Sequence, residues 1–247
     1  MTTSGQAPKP ARVHPTALVE DGVVLGHDTS VWDGVHIRHG AKLGHHCIVG
    51  EKSYIAYDVV IGNYVKINAV VYICANVSIG DFCMISAHTV FTNDRFPRSG
   101  NKELTGLETS DVTEETLTTR LERGVTIGAN ATIGPGITLG EFSMIGMGSV
   151  VTRDVPAFAL VHGSPARIAG WLSACGHPLL RGADPGTGPG EGSGGGPGER
   201  GSATVETPRG SATVETPRRD LHCERCGRNY RFDGRRLAPT APIVSAP

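Results

Sequence analysis

The sequence predicts an all-β fold in which short strands coil into one solenoid. An apolar residue recurs at every sixth position from Val13 to Phe91, and the residue four positions after each is small or β-branched up to Thr89. Glycine often follows the apolar residue, as at Gly26 and Gly62. A period of six fits neither the 3.6-residue repeat of an amphipathic helix nor the two-residue alternation of an ordinary strand. Each repeat is therefore predicted to be one short strand and one tight bend.

The composition narrows the function classes. The chain has 247 residues, with 23 basic and 24 acidic side chains and 6 cysteines. This near-neutral charge argues against a dedicated nucleic-acid binder, whose basic residues must outnumber the acidic ones and cluster. The sequence shows no apolar run long enough for a membrane span and no leader pattern, and its cysteines are too sparse for a disulfide framework. These observations predict a cytoplasmic protein that binds neither nucleic acid nor a membrane.

The repeat is interrupted once. After Phe91 the apolar series resumes in phase at Leu121 and runs to Val151. Residues 92–120 are therefore predicted to be a loop inserted into a continuous coil over residues 13–157, which follows an N-terminal tail at residues 1–12. A loop of this length inside a compact domain is usually functional or disordered, and its position within the coil favours function.

These repeats resemble those of the hexapeptide-repeat acyltransferases over roughly residues 13–170. The resemblance implies a left-handed parallel β-helix of about six turns, with three repeats or about 18 residues in each turn. The handedness comes from the resemblance alone, because parallel crossovers are normally right-handed. The resemblance also implies acetyl-CoA as cosubstrate and a homotrimer with active sites between subunits.

The entry to the loop resembles that of the nucleotide-sugar N-acyltransferases, through the run Phe91-Thr92-Asn93-Asp94-Arg95-Phe96-Pro97. That subgroup acylates an amino group of a nucleotide-linked amino sugar; its active-site asparagine corresponds to Asn93, and some members also use the next aspartate, here Asp94. His88 is a further candidate, as general base, because histidine titrates near neutral pH. The subgroup's chemistry implies that the departing sulfur of coenzyme A takes the proton. We therefore expect Asn93 to orient the amine or the thioester, and no single histidine to be indispensable.

A turn of about 18 residues predicts which side chains stack in columns along the coil. Counting back from Asn93 gives Ala75, Tyr57 and His39, and a neighbouring column holds Tyr54 with His36 and Tyr72 on either side. We interpret these columns as a groove for the amine substrate, with five candidate binding residues: His36, His39, Tyr57, Asn68 and Tyr72.

The groove departs from the usual pattern of the subgroup. An acidic residue is replaced at Ala75, and two asparagines are replaced at Ala69 and Val70. The alternative of a non-nucleotide acceptor, such as an aminoglycoside, therefore stays open.

The resemblance also implies a coenzyme A site between the last turns. Counting forward from Asn93 past the loop places this site near Ala129, Met147 and Pro165, and the nearest basic residues for the phosphates are Arg153 and Arg167. The run from Val161 to Gly170 matches the closing motif Gly-x-Pro-Ala-(Lys or Arg) of the family. Because Ser164 is a suitable N-cap and Pro165 a suitable first helical residue, we expect a short capping helix within residues 158–178.

The C-terminal part of the chain changes in composition. Residues 179–219 are rich in glycine, and the stretch 200–208 recurs as 209–217, which predicts a disordered linker. In residues 220–247, Cys223-x-x-Cys226-Gly resembles one knuckle of a zinc ribbon. Cys175 and His177 are predicted to complete a structural zinc site across the linker, with His222 as a substitute fourth ligand. Free thiols in a disordered tail are the alternative.

Two other functions are compatible with such a coil. Ser30-Val31-Trp32 and Ile37-Arg38-His39-Gly40 partly resemble a γ-class carbonic anhydrase. That class needs two zinc histidines five residues apart, and no two histidines of this chain have that spacing. A scaffold without activity would have no use for the loop entry or the closing motif, and acetyl-CoA binding separates it from an acetyltransferase.

Overall fold

The computed structural model describes residues 7–109, 111–182 and 218–244. Within these ranges the chain forms 26 strands and no helix. Most of the predicted linker, at residues 183–217, and residues 1–6 of the predicted N-terminal tail lie outside the described residues. The described ranges contain no helix long and apolar enough to cross a membrane.

Twenty short strands form the coil, and consecutive strands fall on three parallel sheets in turn. The first sheet contains β1 Arg12–Val13, β4 Ser30–Val31, β7 Ile48–Val49, β10 Lys66–Ile67, β13 Met84–Ile85, β16 Thr126–Ile127 and β19 Met144–Ile145. The second contains β2 Leu18–Val19, β5 His36–Ile37, β8 Tyr54–Ile55, β11 Tyr72–Ile73, β14 Val90–Phe91, β17 Thr132–Ile133 and β20 Val150–Val151. The third contains β3 Val24–Leu25, β6 Lys42–Leu43, β9 Val60–Ile61, β12 Val77–Ile79, β15 Thr119–Leu121 and β18 Thr138–Leu139. The coil is therefore a three-sided prism with one strand per side in each turn.

The register confirms the predicted turn. Before the inserted loop, each strand pairs in parallel with the strand one turn on, so that His36 lies beside Tyr54 and Tyr54 beside Tyr72. The bends between strands carry left-handed backbone, as at Asp28 with φ 56° and Gly40 with φ 73°. This parallel coil is consistent with the left-handed β-helix that the resemblance implies.

The core is a stack of aliphatic side chains from the second residue of each strand. Ile37, Ile55 and Ile73 are each 0% exposed and lie above one another. The other inward position is small and often carries a hydroxyl, which finds a backbone acceptor: Thr29 Oγ1 donates to the Gly44 carbonyl at 2.8 Å, and Ser53 Oγ donates to that of Asn68 at 3.0 Å. The Thr29 and Ser53 hydroxyls cost little to bury because both are hydrogen-bonded.

The inserted loop replaces one bend between the second and third sheets. It leaves β14 after Phe91 and returns at β15, which pairs with β12. Ile85 consequently pairs with Ile127, whereas the spacing found before the loop would pair it with residue 103. The insertion amounts to four repeats, and four is not a multiple of the three repeats in a turn. Residues beyond the loop therefore lie one side of the prism away from the positions that a simple count gives.

The capping helix predicted within residues 158–178 is not formed. Instead β21 Ala159–Gly163 adds to the first sheet in parallel with β19, and β22 Ala166–Leu172 returns antiparallel through a turn at Ser164 and Pro165. Strand β23 Pro178–Arg181 then pairs with β22. Ser and Pro favour turns as readily as helix starts, and the unpaired edge of the last coil offers a strand the hydrogen bonds that a helix would leave open.

The last described segment is a three-stranded antiparallel sheet of β24 Arg219–His222, β25 Asn229–Phe232 and β26 Leu237–Pro239. This C-terminal sheet packs on the end of the coil. Tyr230 is 0% exposed and its hydroxyl accepts a hydrogen bond from the Ala174 amide at 2.9 Å. The rings of Trp171 and Phe232 lie 5.3 Å apart. Residues 218–244 are thus ordered against the β-helix and do not form a disordered tail.

Candidate functional site

The predicted aromatic columns exist and share one edge of the second sheet. The ring of His36 meets Tyr54 edge-on at 5.4 Å, and Tyr54 stacks on Tyr72 at 5.2 Å. In the bends that follow these strands, His39 stacks on Tyr57 at 5.5 Å. We call the edge between the second and third sheets, where these bends lie, the Asn93 corner. Counting along its column gives His39, Tyr57, Ala75 and Asn93.

A charged network centred on Glu20 lies at the N-terminal end of the Asn93 corner. One carboxylate oxygen of Glu20 lies 2.7 Å from His36 Nε2 and 2.7 Å from Arg38 Nε. The other oxygen accepts a hydrogen bond from the His39 amide at 2.9 Å and lies 3.3 Å from His39 Nδ1. Arg38 in turn donates to the Tyr54 hydroxyl at 3.0 Å.

This network keeps Glu20 ionised. Hydrogen bonds from the His39 backbone and then from the His36 side chain lower the pKa of the Glu20 carboxyl to about 2. The sequence interpretation missed Glu20 and Arg38, although they lie one turn apart and the same count that found His39 would have paired them. A fixed carboxylate beside imidazole and guanidinium groups offers both acceptors and donors to a hydroxylated substrate.

Small buried residues separate this network from Asn93. Ala56, Cys74 and Ala75 are buried beside the two columns, at 3% to 4% exposure. Burial raises the pKa of the Cys74 thiol to about 12. Cys74 is therefore a neutral thiol and not a nucleophile, because the thiolate is the reactive form.

Asn93 follows the last strand before the loop. Its neighbour Thr92 is held against the next turn, since the Thr92 amide and hydroxyl both donate to the Ile133 carbonyl, at 3.0 and 3.2 Å. Asn93 is half-buried, whereas Asp94 is exposed and accepts a hydrogen bond from the Phe96 amide at 2.7 Å. The Asp94 carboxylate thus shapes the start of the loop.

Other predicted residues lie at a different edge, between the first and second sheets, which we call the His88 corner. His88 follows β13 there, in left-handed backbone with φ 59°. Asn68 follows β10 at the same corner, so neither residue shares the Asn93 column.

Ala129 and Met147 also lie at the His88 corner, which corrects the predicted column. The Asn130 amide donates to the Ala87 carbonyl and the Gly148 amide to that of Ala129, so Ala129 stacks on Ala87 and Met147 on Ala129. The cause is the length of the inserted loop, which displaces the count by one side of the prism. Met147 is 81% exposed. Pro165 occupies the turn between β21 and β22 and belongs to neither column.

Arg153 is the residue that continues the Asn93 column. Phe91 pairs with Ile133 and Ile133 with Val151, so Asn93, Pro135 and Arg153 follow one another on successive turns. The other predicted basic residue, Arg167, lies on β22, and its guanidinium donates to the carbonyl of its neighbour Ala166.

Three of the predicted metal ligands come together. The thiol sulfurs of Cys175, Cys223 and Cys226 lie within 4.8 Å of one another. His177 does not join them, and His222 Nδ1 instead pairs with Asn229 Oδ1 at 2.7 Å. In the described part of the chain the other group of potential metal ligands is His27, Asp28 and His46. Neither group consists of three histidines, the ligand set that a γ-class carbonic anhydrase needs.

Comparison with known proteins agrees with the repeats. The family model "Bacterial transferase hexapeptide (six repeats)" matches residues 11–56, 58–93 and 118–153. A dTDP-3-amino-3,6-dideoxy-alpha-D-galactopyranose 3-N-acetyltransferase of Aneurinibacillus thermoaerophilus is 51% identical over 57 residues, which cover 23% of this chain and 30% of that protein. A 2,3,4,5-tetrahydropyridine-2,6-dicarboxylate N-acetyltransferase of Staphylococcus aureus is 46% identical over 48 residues, covering 19% and 20%. The matches thus span less than a third of either relative.

Solved structures to which the chain is similar include PerB of Caulobacter crescentus in complex with CoA and GDP-perosamine, at 23% identity and TM-score 0.42, covering 66% of this chain and 58% of that one. They also include a hexapeptide-repeat acetyltransferase of Vibrio cholerae complexed with acetyl coenzyme A, at 28% identity and TM-score 0.43, covering 54% and 72%. The repeats and the family match together show that residues 11–56, 58–93 and 118–153 belong to the bacterial transferase hexapeptide family.

Proposed function

We propose that this chain transfers the acetyl group of acetyl-CoA to the amino group of a nucleotide-linked amino sugar. The observation that carries the proposal is the Asn93 column, in which an amide side chain follows stacked His39 and Tyr57 rings and a charged network at Glu20. The relative from Aneurinibacillus, named for N-acetylation of a dTDP-linked amino sugar, supports the same acceptor class.

The chemistry needs few groups from the protein. The neutral amine attacks the thioester carbonyl, the new C–N bond forms, and the C–S bond breaks as the sulfur of coenzyme A leaves and takes up the proton that the nitrogen loses. Much of the rate comes from holding the two reactants in line and from donors to the developing oxyanion. In this proposal Asn93 orients the amine or the thioester, and His88 is not essential.

The acceptor lies along the aromatic columns. The faces of Tyr54, Tyr57 and Tyr72 offer apolar surface for a deoxysugar ring or a base. The carboxylate of Glu20 and the guanidinium of Arg38 offer an acceptor and a donor for hydroxyl or phosphate oxygens. Asn68 lies at the other corner, so any contact from it comes from a different side of the substrate.

Coenzyme A uses the later turns. Arg153 brings a cation to the Asn93 corner, and Arg167 is a second candidate for the phosphates. The pantetheine arm could contact Ala129 and Met147 only at the His88 corner, and Pro165 only at the turn between β21 and β22. Within one chain, the predicted acceptor and coenzyme A residues therefore lie at two different edges of the prism.

That division supports a homotrimer in which each active site lies between two chains. The inserted loop also leaves Phe96, Leu104 and Leu107 more than 80% exposed, and apolar side chains grouped on one loop are typical of an interaction surface. For location we propose the cytoplasm, supported by six cysteines that are all free in this structure.

A screen of amino-sugar nucleotides with acetyl-CoA, read by release of free thiol, tests the proposal. Turnover with a dTDP-, GDP- or UDP-linked amino sugar is the expected result. Acetylation of free amines alone would favour a non-nucleotide acceptor such as an aminoglycoside. The buried Ala75, which replaces the usual acidic residue, supports this second acceptor class. Failure to bind acetyl-CoA at all would overturn the proposal.

A further inference from the structure

Two turns far apart in the sequence meet at the junction of the β-helix and the C-terminal sheet. Cys175 lies in the turn between β22 and β23, and Cys223 and Cys226 lie in the turn between β24 and β25. The Cys175 and Cys223 sulfurs are 3.7 Å apart, and Cys223 is 0% exposed. All three are free thiols.

In both turns a glycine with left-handed backbone directly follows a cysteine, although the hydrogen-bonded turn spans five residues at Cys223–Gly227 and four at Ser173–Gly176. In one, Gly227 follows Cys226 with φ 69°, and its amide donates to the Cys223 carbonyl at 2.8 Å. In the other, Gly176 follows Cys175 with φ 79°, and its amide donates to the Ser173 carbonyl at 2.9 Å. Glycine is suited to both positions because an L side chain rarely adopts that backbone conformation. The Ser173 carbonyl accepts the hydrogen bond that closes its turn, as the Cys223 carbonyl does, but Ser173 lies two residues before its cysteine and Cys223 lies three residues before Cys226.

Ser173 also completes the group in space. Its side chain is buried at 1% exposure, and its Oγ lies 3.2 Å from the Cys175 sulfur and 3.3 Å from the Cys223 sulfur. In a tetrahedral zinc site with Zn–S bonds of about 2.3 Å, neighbouring sulfurs are about 3.8 Å apart and an oxygen ligand lies slightly closer to them. The distances among Ser173 Oγ and the Cys175 and Cys223 sulfurs are therefore close to those of a tetrahedral ligand set, and the Cys226 sulfur lies within 4.8 Å of the other two sulfurs.

We propose that Cys175, Cys223 and Cys226 bind a structural zinc ion, with the Ser173 hydroxyl as the fourth ligand in place of a histidine. Binding replaces the thiol protons with the metal and leaves no open position for a substrate, as in closed structural sites. The ion joins the turn after β22 to the C-terminal sheet, beside the contacts of Tyr230 with Ala174 and of Trp171 with Phe232. Its role is to fasten the sheet to the end of the coil, apart from the acetyl transfer proposed above.

Metal content of the full-length protein tests the site. After purification under reducing conditions, saturation with Zn²⁺ and removal of the excess, we expect the wild type to retain one zinc per chain. The double variant Cys223→Ser, Cys226→Ser should retain none, and the control Cys74→Ala, a buried cysteine elsewhere, should retain the wild-type amount. A wild type as poor in zinc as the double variant, or a double variant that keeps its metal, overturns the proposal. So does a disulfide among the three cysteines under the same conditions.

Substitution of Ser173 tests the fourth ligand separately. Ser173→Cys should slow transfer of zinc to a chelator, and Ser173→Ala should speed it, each by about tenfold or more. Cobalt substitution gives a second readout, because an added thiolate strengthens the sulfur-to-cobalt charge-transfer band in Ser173→Cys. Chelator transfer at the wild-type rate in both variants would show that Ser173 is not a ligand. Unchanged acetyl-CoA binding in each variant verifies that the coil is folded.

Discussion

Arg153 lies in the same column as Asn93, two turns further along the β-helix. Adjacent parallel strands are about 4.8 Å apart, so the two positions are separated by roughly 10 Å along one edge of the prism. That spacing suits a cosubstrate whose reacting thioester lies at one end and whose phosphates lie further along. The sequence alone paired Asn93 with Ala129, and the length of the inserted loop is the reason for the difference.

Arg153→Ala should raise the KM for acetyl-CoA by about two- to fivefold with little change in kcat, because an exposed ion pair contributes about 1 kcal/mol or less, a factor of about five at most. Steady-state kinetics with a saturating acceptor measure both parameters. Arg120→Ala, on the third sheet at β15, is the matched control and should behave as wild type. Equal KM values for Arg153→Ala and wild type would remove Arg153 from the cofactor site.

Asn93→Ala should lower kcat by about 100- to 1,000-fold, the usual loss when a group that acts on the transition state is removed. His88→Ala should lower kcat by less than about tenfold, because the proton leaves with the sulfur. Thiol release measures both, and circular dichroism controls for folding. If His88→Ala lost turnover while Asn93→Ala kept it, the roles assigned to the two corners would be reversed.

Glu20→Gln should lower the thermal stability at neutral pH, because the neutral amide loses its charged contacts with His36, Arg38 and His39. The folded-state pKa of Glu20 is lowered to about 2 from 4.5, so its contribution is complete above pH 4.5 and is lost as the pH falls towards 2. Melting temperatures of both proteins across this range test the sign. A difference that grew as the pH fell would contradict the lowered pKa.

If the protein is the proposed homotrimer, mixed assemblies of two variants test the division of the site between two chains. Asn93→Ala damages one corner, and Ala129→Trp blocks the other. Each variant alone should be inactive, whereas trimers reassembled from both should recover part of the activity, because some interfaces then combine two intact corners. No recovery after verified subunit exchange would mean that both corners serve one site within a single chain.

Ile73→Ala should destabilise the coil by about 2–5 kcal/mol, the usual range for a buried aliphatic residue cut back to alanine. Ile48, on the outer side of β7, is 41% exposed, and Ile48→Ala should cost less than about 1 kcal/mol. Denaturant unfolding of both variants at one protein concentration makes the comparison. Similar losses at the two positions would contradict the inward and outward assignment of the strands.

The coil was predictable because one physical requirement repeats without variation. Every repeat must bury the same two positions, so Ile37, Ile55 and Ile73 appear in the sequence at the spacing with which they stack in the structure. The aromatic columns follow from the same spacing. The same 18-residue spacing places Glu20 beside Arg38, although the sequence interpretation did not include them.

The remaining errors have local causes. The position of Ala129 depends on the length of the inserted loop, counted in repeats. The apolar period after the loop is the same whichever side of the prism the chain returns to, so the period does not identify that side. Ser164 and Pro165 suit a helix start and a turn alike, and the open sheet edge, which only the assembled coil reveals, selects the strand pairing. Serine is not a usual zinc ligand, and only the folded chain brings the Ser173 hydroxyl beside the Cys175 and Cys223 sulfurs.

Mass spectrometry of the product formed from acetyl-CoA and a nucleotide-linked amino sugar tests the central claim most directly. The account predicts one acetyl group on the amine nitrogen of the sugar with the wild type, and product at or near background with Asn93→Ala under the same conditions. An unmodified sugar after incubation with folded wild-type protein that binds acetyl-CoA would contradict the proposed acceptor. Equal product from Asn93→Ala would contradict the proposed site.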